Sequence, residues 1–178
     1  MANTTFSGPV RSKNGFINTG PGAVIALTLA TDLTVADHAG RLITMDPAGT
    51  PTAITIPSII STADAAVAGA NDPNNASTIG TTFEILFIDN FTGTIKTANT
   101  ADKFVGAVTL GITASTAGKQ FQVATNNNEV NLNGEAGTAT TGGLKGSIIK
   151  FTAIAANLYA VEGQLLAAGV LATPFDNQ

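Results

Sequence analysis

The sequence predicts an all-β fold: an antiparallel β-sandwich or jelly-roll-like barrel, with an extended N-terminal arm and a short helical excursion near 58–70. Three observations predict it. Short runs rich in Val, Ile, Thr and Phe recur along the chain, separated by Gly, Pro, Asn and Asp. Stretches with helical spacing are few, and no exact internal repeat is present, so neither a propeller nor a solenoid is expected. The 178 residues suffice for one domain with its own core. The expected division is an arm over 1–20 and a single sandwich or barrel domain over 21–178.

The arm lacks sustained periodicity. Ser7-Gly8-Pro9, Asn14-Gly15 and Gly20-Pro21-Gly22 punctuate it, with Phe6, Val10 and Phe16 spaced between. Ala23 to Ala30 is the first β-compatible run. Arg41 to Asp46 is the second, closed by the turn Asp46-Pro47-Ala48-Gly49. Thr52-Ala53-Ile54-Thr55-Ile56 alternates and stops at Pro57. Ser58 to Val67 has room for one or two helical turns, with Ser61 as N-cap. Asn71-Asp72-Pro73-Asn74-Asn75 then reads as an exposed loop.

Phe83 to Ile88 is the strongest strand. Phe83, Ile85 and Phe87 alternate with Leu86 and Ile88, which predicts burial on both faces. Further strands follow at Thr94–Thr97, Lys103–Leu110 and Gln120–Ala124. After the Asn126-Asn127-Asn128 turn, Val130 and Leu132 alternate with Asn131 and Asn133. Residues 135–146 form a Gly/Thr loop, of which Thr141 to Gly146 is expected to be flexible. Ser147–Ala153 and Leu158–Leu165 make a hairpin through Ala155-Ala156-Asn157. About nine or ten strands result.

Reactive side chains are scarce: no Cys, no Trp, one His and 11% charged residues. No disulfide or thiolate metal site is therefore possible. His38 sits beside Asp37 in a turn-like stretch, where a surface role is expected over general-base chemistry. Glu84, Asp89, Glu129, Glu135 and Glu162 are the carboxylates a glycosidase pair would draw on, but sugar-binding aromatics are limited to Tyr159. The loop 71–75 offers oxygen ligands for calcium, yet holds one carboxylate and an interrupting Pro73. Thr141 to Gly146 lacks the Gly-Lys-Ser/Thr order of a phosphate loop. No enzyme activity, cofactor or metal is expected.

The net charge of −4 argues against nucleic acid as partner. Of the eight bases, Arg11 and Lys13 precede every acid, so a mildly basic leader joins an acidic body. Met1 to Phe6 has neither the basic nor the apolar region of a secretory leader. No apolar run approaches the ~20 residues of a membrane span. A soluble protein made in a cytoplasm is expected. The mean hydropathy of +0.27 is high for so few charges, which points to apolar surface covered by other copies or a partner.

Several segments carry a family resemblance. They are Asn3 to Ser12; Asp32-Leu33-Thr34-Val35-Ala36-Asp37-His38-Ala39-Gly40-Arg41; Ala53-Ile54-Thr55-Ile56-Pro57; Asp102 to Val108; Tyr159-Ala160-Val161-Glu162-Gly163; and Ala172-Thr173-Pro174-Phe175. Together they resemble the small β-rich virion proteins of tailed bacteriophages, particularly head decoration (cement) proteins. Tyr159 stands where the family often has Trp, with the same core role implied. The resemblance implies a homotrimer on the outer capsid surface that clamps neighbouring major capsid subunits, with no catalytic residues. The arm is the expected capsid contact. Phe6, Val10 and Phe16 would be apolar anchors, and Arg11 and Lys13 would meet acidic capsid surface. The alternative is a tail, fibre or spike module that binds host carbohydrate through the loops 71–75 and 135–146.

Overall fold

Twelve strands and one helical turn account for the regular structure of the described residues. The structure, a computed structural model, describes residues 23–47, 52–60, 78–115 and 117–178. The expected helical excursion, apart from residues 58–60, lies outside them, as do the arm 1–20 and the loop 71–75. Residues 58–60 form no helix.

In chain order the elements are β1 (Val24–Leu27), β2 (Thr31–Asp32), α1 (Val35–His38), β3 (Leu42–Met45), β4 (Thr52–Ile56), β5 (Thr82–Phe87) and β6 (Thr92–Thr97). Then follow β7 (Lys103–Ile112), β8 (Gly118–Gln122), β9 (Glu129–Asn133), β10 (Ile148–Ala155), β11 (Leu158–Ala167) and β12 (Phe175–Asp176). A seven-stranded sheet runs β1-β3-β5-β10-β11-β7-β8, and a five-stranded sheet runs β12-β9-β6-β4-β2. The expected all-β sandwich is what forms.

The pairing is mixed rather than wholly antiparallel. β1 through β6 alternate between the two sheets, so each strand returns to its sheet in the same direction as the last. The opposite sheet thus serves as the crossover that parallel pairing requires. Hence β1–β3, β3–β5, β2–β4 and β4–β6 are parallel. Tight loops give antiparallel pairs at β7–β8 and β10–β11. The β10–β11 loop is the expected one, with Asn157 at φ 58°.

One core lies between the sheets. Ile43, Phe83, Ile85, Phe87, Phe151 and Leu165 from the larger sheet meet Ile54, Ile56, Ile95 and Val130 from the smaller. The Phe87 and Phe91 rings stack with centroids 4.8 Å apart, and Phe104 meets Phe151 at 5.3 Å. Tyr159 takes the expected core role. Its ring is buried, and its hydroxyl donates to Pro57 O at 2.7 Å.

β5 corrects one expectation. Phe83, Ile85 and Phe87 are fully buried, but Thr82, Glu84 and Leu86 are only half-buried. Ile88, just past the strand, is 39% exposed. The strand is fully buried on one face only, the one that carries Phe83, Ile85 and Phe87 into the core between the sheets.

Candidate docking surfaces

The two outer faces differ in chemistry. On the seven-stranded sheet, one cross-strand row reads Leu42, Glu84, Lys150, Glu162, Ala107 and Gln122. The next row carries Thr44, Leu86, Ile148, Gln164 and Thr109. Leu42, Leu86, Ile148 and Leu166 are half-buried, with Val24, Val105 and Ile154 more than 40% exposed around them. Aliphatic side chains thus stand among polar and charged ones on this face.

Lys150 sits between two glutamates on this face. Its Nζ lies 2.8 Å from Glu162 Oε1. The hydrogen bond that Lys150 donates to Glu162, then the charges of Glu162 and Glu84, hold the ammonium above the ordinary lysine value. The group is open to water, so the pair sets charge position more than stability.

The five-stranded sheet is polar outside. Its row reads Asp176, Glu129, Lys96, Thr55 and Asp32, three carboxylates around one lysine. A hollow of about 410 Å³ at the end of this row is lined by Asp32, Leu33, Thr55, Lys96 and Gln178. Gln178 is fixed there: its side-chain amide donates to Thr97 O at 3.0 Å and to Asn128 O at 3.3 Å. Its backbone N–H donates to Asn128 Oδ1 at 3.0 Å.

The carboxylates considered for a glycosidase are dispersed. Glu84 and Glu162 share the outer face of the larger sheet, with Lys150 between them. Glu129 lies on the other sheet, and Asp89 Oδ1 accepts the N–H of Asn90 at 2.8 Å. Glu135 is in the loop after β9. No group of three or more His, Cys, Asp or Glu side chains among the described residues is arranged to hold a metal ion.

Asp37 and His38 belong to α1, a helical turn the sequence did not reveal as such. Thr34 is its N-cap, with Oγ1 accepting the Asp37 N–H at 3.2 Å. The Thr34 N–H donates to His38 Nδ1 at 3.0 Å, so this ring nitrogen closes the turn. The capping pattern Thr34-x-x-Asp37 was the available signal.

The stretch Thr141 to Gly146, expected to be flexible, is packed at its centre. Gly142, Gly143 and Leu144 are buried between β9 and the end of β11. Gly143 O accepts the Phe91 N–H at 2.7 Å, Gly146 N donates to Phe87 O at 2.8 Å, and Leu144 N donates to Leu166 O at 3.1 Å. Ser147 Oγ, fully buried, donates to Leu144 O at 2.7 Å and accepts the Leu166 N–H at 2.8 Å. Gly143 has φ +96°, and a Cβ there would lie 2.4 Å from Phe91 O. Glycine is present because backbone approaches backbone, and the same composition that reads as loose is what permits tight packing.

Asp102 was not singled out for chemistry, yet its burial sets it apart. It is fully buried after β6; its Oδ2 accepts the Ile59 N–H at 3.1 Å, while Oδ1 has no partner. Burial pushes its carboxyl above the usual carboxylate value, against the opposing pull of the Ile59 N–H. Burial, then the nearby Asp102 charge, push the Tyr159 hydroxyl up as well. Asp102 and Tyr159 together tie the chain leaving β4 to the body.

The expected anchors Phe6, Val10, Arg11, Lys13 and Phe16 lie outside the described residues. No helix among the described residues is long and apolar enough to cross a membrane. No known family, curated protein or solved structure matches the chain.

Proposed function

We propose that this protein is a structural subunit of a virion, decorating the outer surface of a phage capsid and clamping neighbouring major capsid subunits. The observation that carries the reading is the contrast between the two outer faces. The seven-stranded sheet offers half-buried Leu42, Leu86, Ile148 and Leu166 around a fixed charge row, and the five-stranded sheet is polar. A sandwich that sets aliphatic side chains among charges on one outer face, and is polar on the other, suits a protein that lies on a larger surface. The sequence resemblance to decoration proteins and the basic leader with Phe6, Val10, Arg11, Lys13 and Phe16 support the same reading.

The mechanism is mass action. A partner that binds only the assembled shell stabilises that state by RT ln(1 + [L]/Kd) at each site, and many sites accumulate. The leader is the main anchor in this reading. Ordering it costs about 1–2 kcal/mol per residue, so it needs a broad contact in return.

Deleting residues 2–16 and measuring occupancy on capsids tests the reading. Occupancy should fall sharply while the sandwich stays folded by circular dichroism. Unchanged occupancy overturns the anchor. A purified chain that ignores capsids but binds a glycan array overturns decoration in favour of host-carbohydrate recognition.

A further inference from the structure

β8 closes one edge of the seven-stranded sheet, and its free side is unusually well formed for pairing. It pairs with β7 from Gly118↔Gly111 to Gln122↔Ala107 with no register shift. The flanking hydrogen bonds fix which residues face β7. Ile112 N donates to Ala117 O at 3.1 Å, and Val123 N donates to Gly106 O at 3.0 Å. Backbone direction alternates along a strand, so Lys119 and Phe121 also turn their amides and carbonyls to β7. Gly118, Gln120 and Gln122 turn theirs outward. Among the described residues no strand meets them there.

The other sheet edges are short. β2 and β12 have two residues each and β1 has four. β8 has five, all exposed except half-buried Phe121, with neither Pro nor bulge to blunt it. An edge of this kind is a template for another strand.

We propose that β8 pairs with β8 of a second copy of this chain, antiparallel, about a two-fold axis at Gln120. The strand is self-complementary about that residue. Gln120 faces the partner's Gln120, and Gly118 faces the partner's Gln122. Every outward N–H then meets an outward C=O. Lys119 faces the partner's Phe121 in a non-hydrogen-bonded pair, the spacing at which side chains lie closest. The chemistry of that pair already exists within the strand, where Lys119 Nζ lies 4.7 Å from the Phe121 ring centroid. An axis at Lys119 would oppose two ammonium groups, and an axis at Phe121 would leave Gly118 beyond the paired segment. A lone edge lysine can also serve as a guard against association. Here it stands off the axis and over a ring, which removes that repulsion. The pairing is independent of the capsid reading, because only copies of this chain take part.

The chain has no cysteine, which makes the test clean. Gln120→Cys puts a single thiol on the axis, where paired Cα atoms are about 5.5 Å apart, inside the disulfide range of about 4.4–6.8 Å. The unmodified full chain should sediment as a dimer, and oxidised Gln120→Cys should run as a covalent dimer. Thr109→Cys, one strand inward on the same exposed face, should not crosslink. Gln120→Pro removes an outward N–H and spares those facing β7, so it should sediment as a folded monomer. A monomeric unmodified chain overturns the proposal. So does an oligomer, a trimer included, in which Gln120→Cys fails to crosslink or which survives Gln120→Pro. If Gln120→Pro does not fold, the cysteine pair alone decides.

Discussion

Replacing Gly143 by Ala tests whether the loop between β9 and β10 is a packed part of the sandwich. The comparison is Gly137→Ala in the same loop. Both glycines have positive φ, +96° and +83°, so both substitutions carry the strain of a side chain in that region, about 1–2 kcal/mol. At Gly137 nothing lies within 4 Å of the added Cβ. At Gly143 the Cβ would lie 2.4 Å from Phe91 O and 3.1 Å from Leu132 Cβ. Relief requires moving the segment whose carbonyl accepts the Phe91 N–H at 2.7 Å. Leaving that buried N–H unpaired adds about 1–3 kcal/mol. Gly143→Ala should therefore cost about 2–5 kcal/mol in all. For a chain of this length that lowers Tm by roughly 10 °C, against roughly 4 °C for Gly137→Ala. Thermal unfolding followed by circular dichroism measures both. Equal, small losses would refute the packing argument.

Three further outcomes follow from buried groups. Asp102 has a folded-state pKa raised by burial, so its contribution is fully present below the unfolded value and is lost as pH rises through the folded one. Asp102→Asn should therefore have a higher urea midpoint than the parent at pH 7, with the advantage fading towards pH 4; an advantage constant with pH contradicts this. Tyr159→Phe removes the 2.7 Å bond to Pro57 O and should cost about 1 kcal/mol by urea unfolding; no loss would mean the hydroxyl is not tying down that segment. Phe175 is 6% exposed on a two-residue edge strand, and Phe175→Ala should cost about 3 kcal/mol, read as a lower Tm. A loss no larger than that of an exposed alanine substitution would show that β12 is not part of the core.

The strands were legible in the sequence wherever alternation was long. Thr52–Ile56 was read to the residue, and the run ending in Phe87 to within one residue at either end. The two-residue β2 and β12 carry no such pattern, because they exist through pairing with β4 and β9 far along the chain. Direction was equally hidden, since alternation looks the same in parallel and antiparallel pairs. Leu86 and Ile88 were read as facing a second core layer, and their apolar character instead belongs to an outer face. Gly142 and Gly143 read as loose because composition does not show what a missing side chain makes room for. The edge of β8 was invisible for a related reason. Which of its residues face outward is set by the hydrogen bonds of Val123 and Ile112, a property of the pairing rather than of the residue types.

The central claim is that the chain is a capsid-decorating structural subunit. Electron cryo-microscopy at side-chain resolution, on phage particles that carry the protein, tests that claim most directly. The account predicts sandwich density distributed over the outer shell, with Phe6, Val10 and Phe16 seated on capsid subunits and Arg11 and Lys13 against acidic side chains. A head free of this density, or density confined to a tail or fibre tip, would contradict it.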